Sequence, residues 1–105
     1  MKRLMFTISF LLFTAIGISA AAQDSPEASY KAKCAACHGP DGAGATTAGK
    51  KLGAKDLHSP AVTAMTDAEL LDITKNGKEK MPAYGKSLTD DQIKSLIKYI
   101  RTLKS

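Results

Sequence analysis

The chain has 105 residues, 44% hydrophobic and 24% charged, with 15 Lys and Arg against 10 Asp and Glu, a formal net charge of +5 at pH 7. That length holds one domain at most. Two Cys are too few for a disulfide-rich scaffold, and a single long apolar run is too few for a membrane channel.

The apolar run lies at the amino end. Met1-Lys2-Arg3 is a short basic start, Leu4 to Ile18 is almost unbroken apolar sequence, and Ser19-Ala20-Ala21-Ala22 supplies small residues. This three-part pattern predicts a secretory signal over residues 1–22, cleaved after Ala22. The stretch from Leu4 to Ala22 is also long enough to stay as an uncleaved anchor. No Cys stands at the cleavage point, so a lipoprotein anchor is not expected. On either reading the domain, residues 23–105, is delivered outside the cytoplasm, to a periplasm.

Cleavage leaves 83 residues with 13 basic and 10 acidic side chains, a net charge of +3. This mild excess favours partners with acidic surfaces. It gives no case for nucleic acid, because no dense Lys/Arg stripe with interleaved aromatics occurs. All three Phe leave with the signal, there is no Trp, and the aromatics that remain are Tyr30, Tyr84 and Tyr99. The apolar set falls to 31 of 83 residues, 12 of them Ala. So small a core is marginal by itself and calls for a staple, a metal or a cofactor.

Helix signals dominate and strand signals are scarce, which predicts an all-α domain. A first helix is expected from about Ser25 to Cys37, with Ser25 as N-cap, Pro26 in the first turn and Glu27 at the positive end. Gly39-Pro40-Asp41-Gly42 stops it, and the Gly-, Ala-, Thr- and Lys-rich stretch up to Lys55 reads as a loop. Ser59-Pro60 starts a short helical turn to about Ala64. Thr66 and Glu69 then form a capping box, with Met65 and Leu70 as a hydrophobic staple, opening a helix that Asn76-Gly77 ends. Residues 78–87 form a loop containing Met81-Pro82. A second box at Thr89 and Gln92, stapled by Leu88 and Ile93, opens the last helix, whose Ile93, Leu96, Ile97, Ile100 and Leu103 fall on one face.

The chemistry lies in Cys34-Ala35-Ala36-Cys37-His38. At helical spacing i, i+3 and i+4, both thiols and the imidazole share a face. Two thiols a turn apart can add to the two vinyl groups on one haem edge while the adjacent imidazole reaches the iron. Ala35 and Ala36 let the porphyrin edge come close. This is the C-x-x-C-H pattern of covalent haem attachment.

Three rivals are weaker. A thioredoxin-like pair needs a strand–helix setting that this chain lacks. A zinc site would need Cys34, Cys37, His58 and a fourth ligand. A disulfide across so short a spacing constrains little.

For the other face of the iron the domain offers two Met. Met65 already has a place in a staple. Met81 precedes Pro82, which keeps it out of helical geometry and in a loop. A thioether in that charged loop needs burial and can bind iron, although a gap-filling role remains open. His58 reads as a surface or edge histidine, with Leu57 turned inward.

The domain resembles a small bacterial class I cytochrome c. The resemblance rests on KCAACHG (33–39), PDGAG (40–44), DLHSPAV (56–62), MTDAELLDITKNGK (65–78), KMPAYG (80–85) and LTDDQIKSLIKYIRTL (88–103), and it covers about Tyr30 to Leu103. It implies three main helices and a short helical turn around one covalently bound haem c, with the first and last helices crossing. One departure stands out. The family usually has Gly four residues before the aromatic matched to Tyr30, whereas Pro26 stands here. A later helix start, or a crossing made through Ala28, is then expected, with Tyr30 against Ile97 or Tyr99.

The expected cofactor residues are Cys34, Cys37, His38 and Met81, with His38 and Met81 as the iron ligands. His38 should give its other ring N–H to a backbone carbonyl in the 45–55 stretch. Nitrogen and sulfur on the two faces fill the iron's coordination sphere. That leaves no room for a small-molecule substrate, so the expected function is one-electron transfer between redox proteins and not enzymatic turnover. The soft sulfur and the apolar cover both favour ferrous iron. Lys31, Lys33, Lys78, Lys80 and Lys86 flank the ligands and suit acidic partners. A monomer is expected. The alternatives are a dedicated haem subunit of a larger oxidase or dehydrogenase, and a small haem enzyme or gas binder in which Met81 is labile.

Overall fold

A computed structural model describes residues 25–104. The expected export segment, 1–22, lies outside them. Six helical segments follow in order: α1 (Pro26–Lys33), α2 (Ala35–His38), α3 (Thr47–Leu52), α4 (Pro60–Thr63), α5 (Asp67–Asn76) and α6 (Asp90–Ile100). Among the described residues the extended structure is one isolated antiparallel bridge, Lys78 to Met81. The fold is all-α, as expected.

α6 is the spine. Thr89 Oγ1 accepts from Gln92 N at 3.1 Å and Gln92 Oε1 accepts from Thr89 N at 2.8 Å, so the expected capping box is complete. Ile93, Leu96 and Ile97 are buried almost completely, and Leu88, just before the box, is buried with them. Each such side chain contributes about 1.5–3 kcal/mol by leaving water. The regular helix stops at Ile100, and the chain turns through Arg101 and Thr102, so Leu103 joins the core from beyond the helix.

α5 runs antiparallel to α6 and is tied to it at both ends. Lys75 pairs with Asp90 at 3.1 Å, and Arg101 pairs with Asp67 at 2.7 Å while donating to the Met65 carbonyl at 2.8 Å. These pairs are largely exposed, worth about 0–1 kcal/mol each. Leu70 and Leu71 pack against the core. Of the capping box expected at its start, only the Thr66 half forms: Thr66 Oγ1 accepts from Glu69 N at 3.2 Å.

α1 crosses α6 through Tyr30, which is 1% exposed and meets the Tyr99 ring at 5.6 Å between centroids, tilted by 56°. This is one of the two contacts expected for it. The helix begins where the capping signal put it, with Ser25 Oγ accepting from Ala28 N and Pro26 in the first turn. Two expectations fail here. Ala28 is exposed and does not make the close approach; Ser29 and Tyr30 are the buried residues. Nor is the helix continuous to Cys37. It breaks at Cys34 (φ −114°, ψ −38°), and a separate turn, α2, carries Cys37 and His38.

The stretch read as a loop up to Lys55 contains a six-residue helix, α3. Thr46 Oγ1 caps it by accepting from Gly49 N at 2.8 Å, and Gly53 (φ +69°) ends it. The short turn expected after Ser59-Pro60 is present as α4.

Candidate functional site

Cys34 is buried, and Cys37 and His38 are half-buried. Cys37 N at 3.2 Å and His38 N at 2.9 Å both donate to the Cys34 carbonyl, which closes a helical turn on the cysteine pair. The thiols are not linked to each other. Burial pushes the Cys34 thiol up to about 11. A thioredoxin-type cysteine needs the opposite, a thiolate stabilised near neutral pH.

α3 holds this turn from one side. Thr46 Oγ1 donates to the Ala36 carbonyl at 2.7 Å, with the Cys37 carbonyl 3.1 Å away, and accepts from Gly49 N in return. A Cβ on Gly49 would collide with the Cys37 carbonyl oxygen, so only glycine lets α3 lie this close. Tyr30 holds the turn from the other side, its buried hydroxyl donating to the Gly39 carbonyl at 2.6 Å. Burial pushes that hydroxyl up to about 12, so it stays a donor throughout the neutral range.

His38 Nδ1 lies 2.9 Å from the Lys55 carbonyl oxygen. A carbonyl can only accept, so Nδ1 carries the proton and Nε2 keeps its lone pair for a metal. The carbonyl expected somewhere in 45–55 is therefore that of Lys55. Gly44 N donates back to the His38 carbonyl at 2.7 Å. His58 is half-buried at an edge, its Nε2–H donating to the Asp41 carbonyl, while Leu57 N donates to the Gly42 carbonyl and the Leu57 side chain packs inward. His58 is thus engaged as a loop brace. Among the described residues no group of three or more His, Cys, Asp and Glu side chains converges to hold a metal ion.

Met81 is half-buried at the end of a tight turn in which Lys78 N and Met81 N exchange bonds with each other's carbonyl, at 3.2 and 2.9 Å. Gly77 (φ +79°) sits against that turn; a Cβ there would lie 2.8 Å from the Met81 carbonyl oxygen and 3.0 Å from Ala83 N. Two carbonyls left unpaired by the end of α5, those of Thr74 and Lys75, accept from Tyr84 N at 2.9 Å and Gly85 N at 3.0 Å. Met65 stays at the entrance of α5, where Arg101 holds its carbonyl.

These residues fit a haem. The two thiols are unlinked and one turn apart, the imidazole is anchored through the nitrogen that iron does not need, and a thioether stands in a braced loop. Leu57, Leu70, Leu71 and Tyr84 pack on the core yet remain only partly buried, which leaves apolar surface for a flat apolar group to cover. Sequence reasoning missed Thr46, Gly49, Gly77 and the hydroxyl of Tyr84. For Thr46 the signal was legible, since Thr46 and Gly53 are the cap and stop of a short helix. Gly77 was legible as a helix stop but not as a brace of Met81, and Gly49 and the Tyr84 hydroxyl were not legible, because each acts through a contact distant in sequence.

Comparison with known proteins agrees. Residues 21–100 match the family model described as "Cytochrome C oxidase, cbb3-type, subunit III". A cytochrome c6 of Rippkaea orientalis is 36% identical, the match covering 95% of this chain and 92% of that protein. The cbb3-type cytochrome c oxidase subunit CcoP of Azospirillum brasilense is 37% identical over 80% of this chain, which spans 29% of that protein. Among solved structures, the KustC0563 c-type cytochrome superposes with a TM-score of 0.70 at 28% identity, covering 77% of this chain and 99% of that one. The chain belongs to the cytochrome c family, as a small class I member that transfers electrons on covalently bound haem c.

Proposed function

We propose that this protein is an exported, monomeric, single-haem electron carrier in which Cys34 and Cys37 bear the haem and His38 and Met81 ligate its iron. The observation that carries the assignment is the anchored imidazole: Nδ1–H is committed to the Lys55 carbonyl, next to two unlinked thiols. Cys34 and Cys37 would hold the haem by adding their S–H bonds across its two vinyl double bonds, each forming a carbon–sulfur bond with the hydrogen going to the neighbouring carbon. Bound haem iron supplies the one-electron ferric/ferrous couple. The protein's part is to keep both ligands in place in both states. Thr46, Gly49 and Lys55 do so for His38, and Gly77 and the Lys78–Met81 turn do so for Met81. The sulfur and the apolar cover of Leu57, Leu70 and Leu71 favour the ferrous state.

Residues 1–22 act as an export signal, which places the domain in a periplasm; anchoring through residues 4–22 is the variant reading. Among the described residues no helix is long and apolar enough to cross a membrane. The partners are redox proteins with acidic docking faces. Lys78, Lys80 and Lys86 are exposed around the Met81 loop, and Lys33 stands where that loop meets α1. Docking through them is fast, weak and salt-sensitive. With His38 and Met81 both committed to holding the iron, no substrate turnover is expected.

The test is expression of the full chain with a haem-ligation apparatus. Haem that stays on the denatured chain, a sulfur-to-iron charge-transfer band in the ferric state and a reversible one-electron titration are expected. A colourless chain, or haem lost on denaturation, rejects the assignment. The match to CcoP favours a second reading, a haem subunit of a larger oxidase. Stable co-purification with an oxidase from the native membrane would select it over a free carrier.

A further inference from the structure

We infer that Tyr84 is the positioning residue for the sulfur ligand, its hydroxyl fastening the Met81 segment to the Lys33 carbonyl beside the first attachment cysteine. The inference rests on the His38/Met81 ligation proposed above. It begins with the break in the first helix. In an unbroken helix Cys37 N would donate to the carbonyl four residues back, that of Lys33. Because the chain turns at Cys34, Cys37 N donates instead to the Cys34 carbonyl, and the Lys33 carbonyl is left without a helical partner. The Tyr84 hydroxyl takes it, donating at 2.9 Å across a separation of 51 residues in a part-buried setting.

The position of that bond gives it its role. Among the described residues it is the one hydrogen bond between the stretch 77–88 and the segment bearing Cys34, Cys37 and His38. The other bonds of the Met81 stretch run within it or to α5: Lys78 with Met81, Tyr84 N to Thr74, Gly85 N to Lys75, and Ser87 N and Leu88 N back to Tyr84. They fix the loop to its own helix but not to the cysteine turn. Burial also raises the Tyr84 hydroxyl above its ordinary value, so it remains a donor. Tyr84 stands three residues after Met81, so a bond at its hydroxyl sets where the sulfur can come to rest. A phenylalanine ring would pack as well and leave that register to contact alone.

The test uses the haem-loaded full chain and compares the wild type with Tyr84→Phe. Arg101→Gln, which removes bonds to Asp67 and Met65 that involve neither ligand residue, serves as the control for general loosening. Two readouts report the sulfur and not the fold: the rate of carbon monoxide binding to the ferrous protein, limited by Met81 release, and the denaturant concentration at which the ferric charge-transfer band disappears. Helical circular dichroism reports the fold. Tyr84→Phe should bind carbon monoxide about fivefold faster, as loss of one ordinary net hydrogen bond implies. It should lose the band well before it loses helix, while Arg101→Gln loses both together and keeps a carbon monoxide rate within about twofold of wild type. Tyr84→Phe rates within about twofold of wild type, or equal gains in both variants, would overturn the role of Tyr84 and leave the ligation intact. A wild type that lacks the band and binds carbon monoxide at once would sink the ligation, and this inference with it.

Discussion

The two ligands that would meet an iron stand in very different surroundings. On the histidine side, residues 36–58 are stitched together from several directions: Thr46 to Ala36 and Cys37, His38 to Lys55, Gly44 to His38, Tyr30 to Gly39, Leu57 to Gly42 and His58 to Asp41. On the methionine side, residues 77–88 hang from the last turn of α5, and among the described residues their one hydrogen bond to the cysteine segment is that of Tyr84. This side also holds the one non-glycine residue with positive φ among those described, Glu79 at +54°. The histidine is over-determined, whereas the methionine stretch is tied mainly to its own helix and carries one residue in a strained backbone conformation. Bound haem would therefore keep its nitrogen ligand through fluctuations that release the sulfur, since local opening follows local contact density.

The comparison is broken most severely at Gly49. Gly49→Ala forces a methyl group into the Cys37 carbonyl, so α3 must retreat and take Thr46 with it. A loss of about 3 kcal/mol in global stability and a sharp fall in haem-loaded yield are expected. Denaturant melts of whatever holoprotein forms measure it, and wild-type stability would mean that α3 does not brace the cysteine turn. The matching cut on the other side is Gly77→Ala. It meets the Met81 carbonyl and carries an unfavourable φ as well, for a cost of about 2 kcal/mol. If the two sides differ as argued, that cost falls on sulfur ligation: the ferric charge-transfer band should weaken while the helical signal persists. Parallel loss of both signals in Gly77→Ala would erase the distinction between the sides.

Much of this was legible in the sequence, and for a physical reason. Helix starts and stops are local, so Ser25, Pro26, Thr89, Gln92 and Gly77 announced α1, α5 and α6 within a few residues. The C-x-x-C-H string is local too, and it carried the chemistry by itself. The break at Cys34 was not legible, because nothing in Lys33-Cys34-Ala35 disfavours helix; the turn is set by what the Cys34 carbonyl and the Tyr84 hydroxyl do in three dimensions. The carbonyl that anchors His38 was placed in a stretch of sequence but not on a residue, since any of those backbone oxygens is chemically equivalent. Pro26, where the family usually has Gly, predicts a first helix that starts late or crosses through Ala28. The Ser25 cap outweighed it, and the close approach falls on Ser29 and Tyr30 instead.

A smaller effect sharpens the picture of the histidine side. Tyr30→Phe keeps the ring against Tyr99 but strands the buried Gly39 carbonyl, at a cost of about 1–2 kcal/mol. The pH dependence gives a second handle. Burial holds the Tyr30 hydroxyl at about 12 in the folded chain, against an ordinary value of 10.0. The unfolded chain therefore loses that proton first as pH rises. The stabilisation is complete below about pH 10 and is lost between 10 and 12. The stability gap between wild type and Tyr30→Phe should thus be widest near neutrality and close over that window. Lysine titration is common to both proteins and cancels in the difference. A gap that stays constant to pH 12 would show that the Tyr30 hydroxyl is not held protonated by its surroundings.

The smallest effect is the most specific to the methionine side. Glu79 occupies the first central position of the Lys78–Met81 turn with its φ in the left-handed region, where a side chain costs about 1–2 kcal/mol. Glycine removes that cost but adds about 0.5–1 kcal/mol of unfolded-chain entropy, so Glu79→Gly should stabilise the turn by about 0.5 kcal/mol net. Glu79→Gln, which keeps the side chain and discards the charge, isolates the electrostatic effect of leaving Lys78 and Lys80 without an acidic neighbour. If the turn is a weak point in holding Met81, Glu79→Gly should slow carbon monoxide binding to the ferrous protein by about twofold and barely move the midpoint of global unfolding, with Glu79→Gln close to wild type in both. A rate unchanged or faster in Glu79→Gly would mean that the strain at Glu79 is not what loosens the sulfur, and the weakness of that side would then rest on its scarcity of bonds alone.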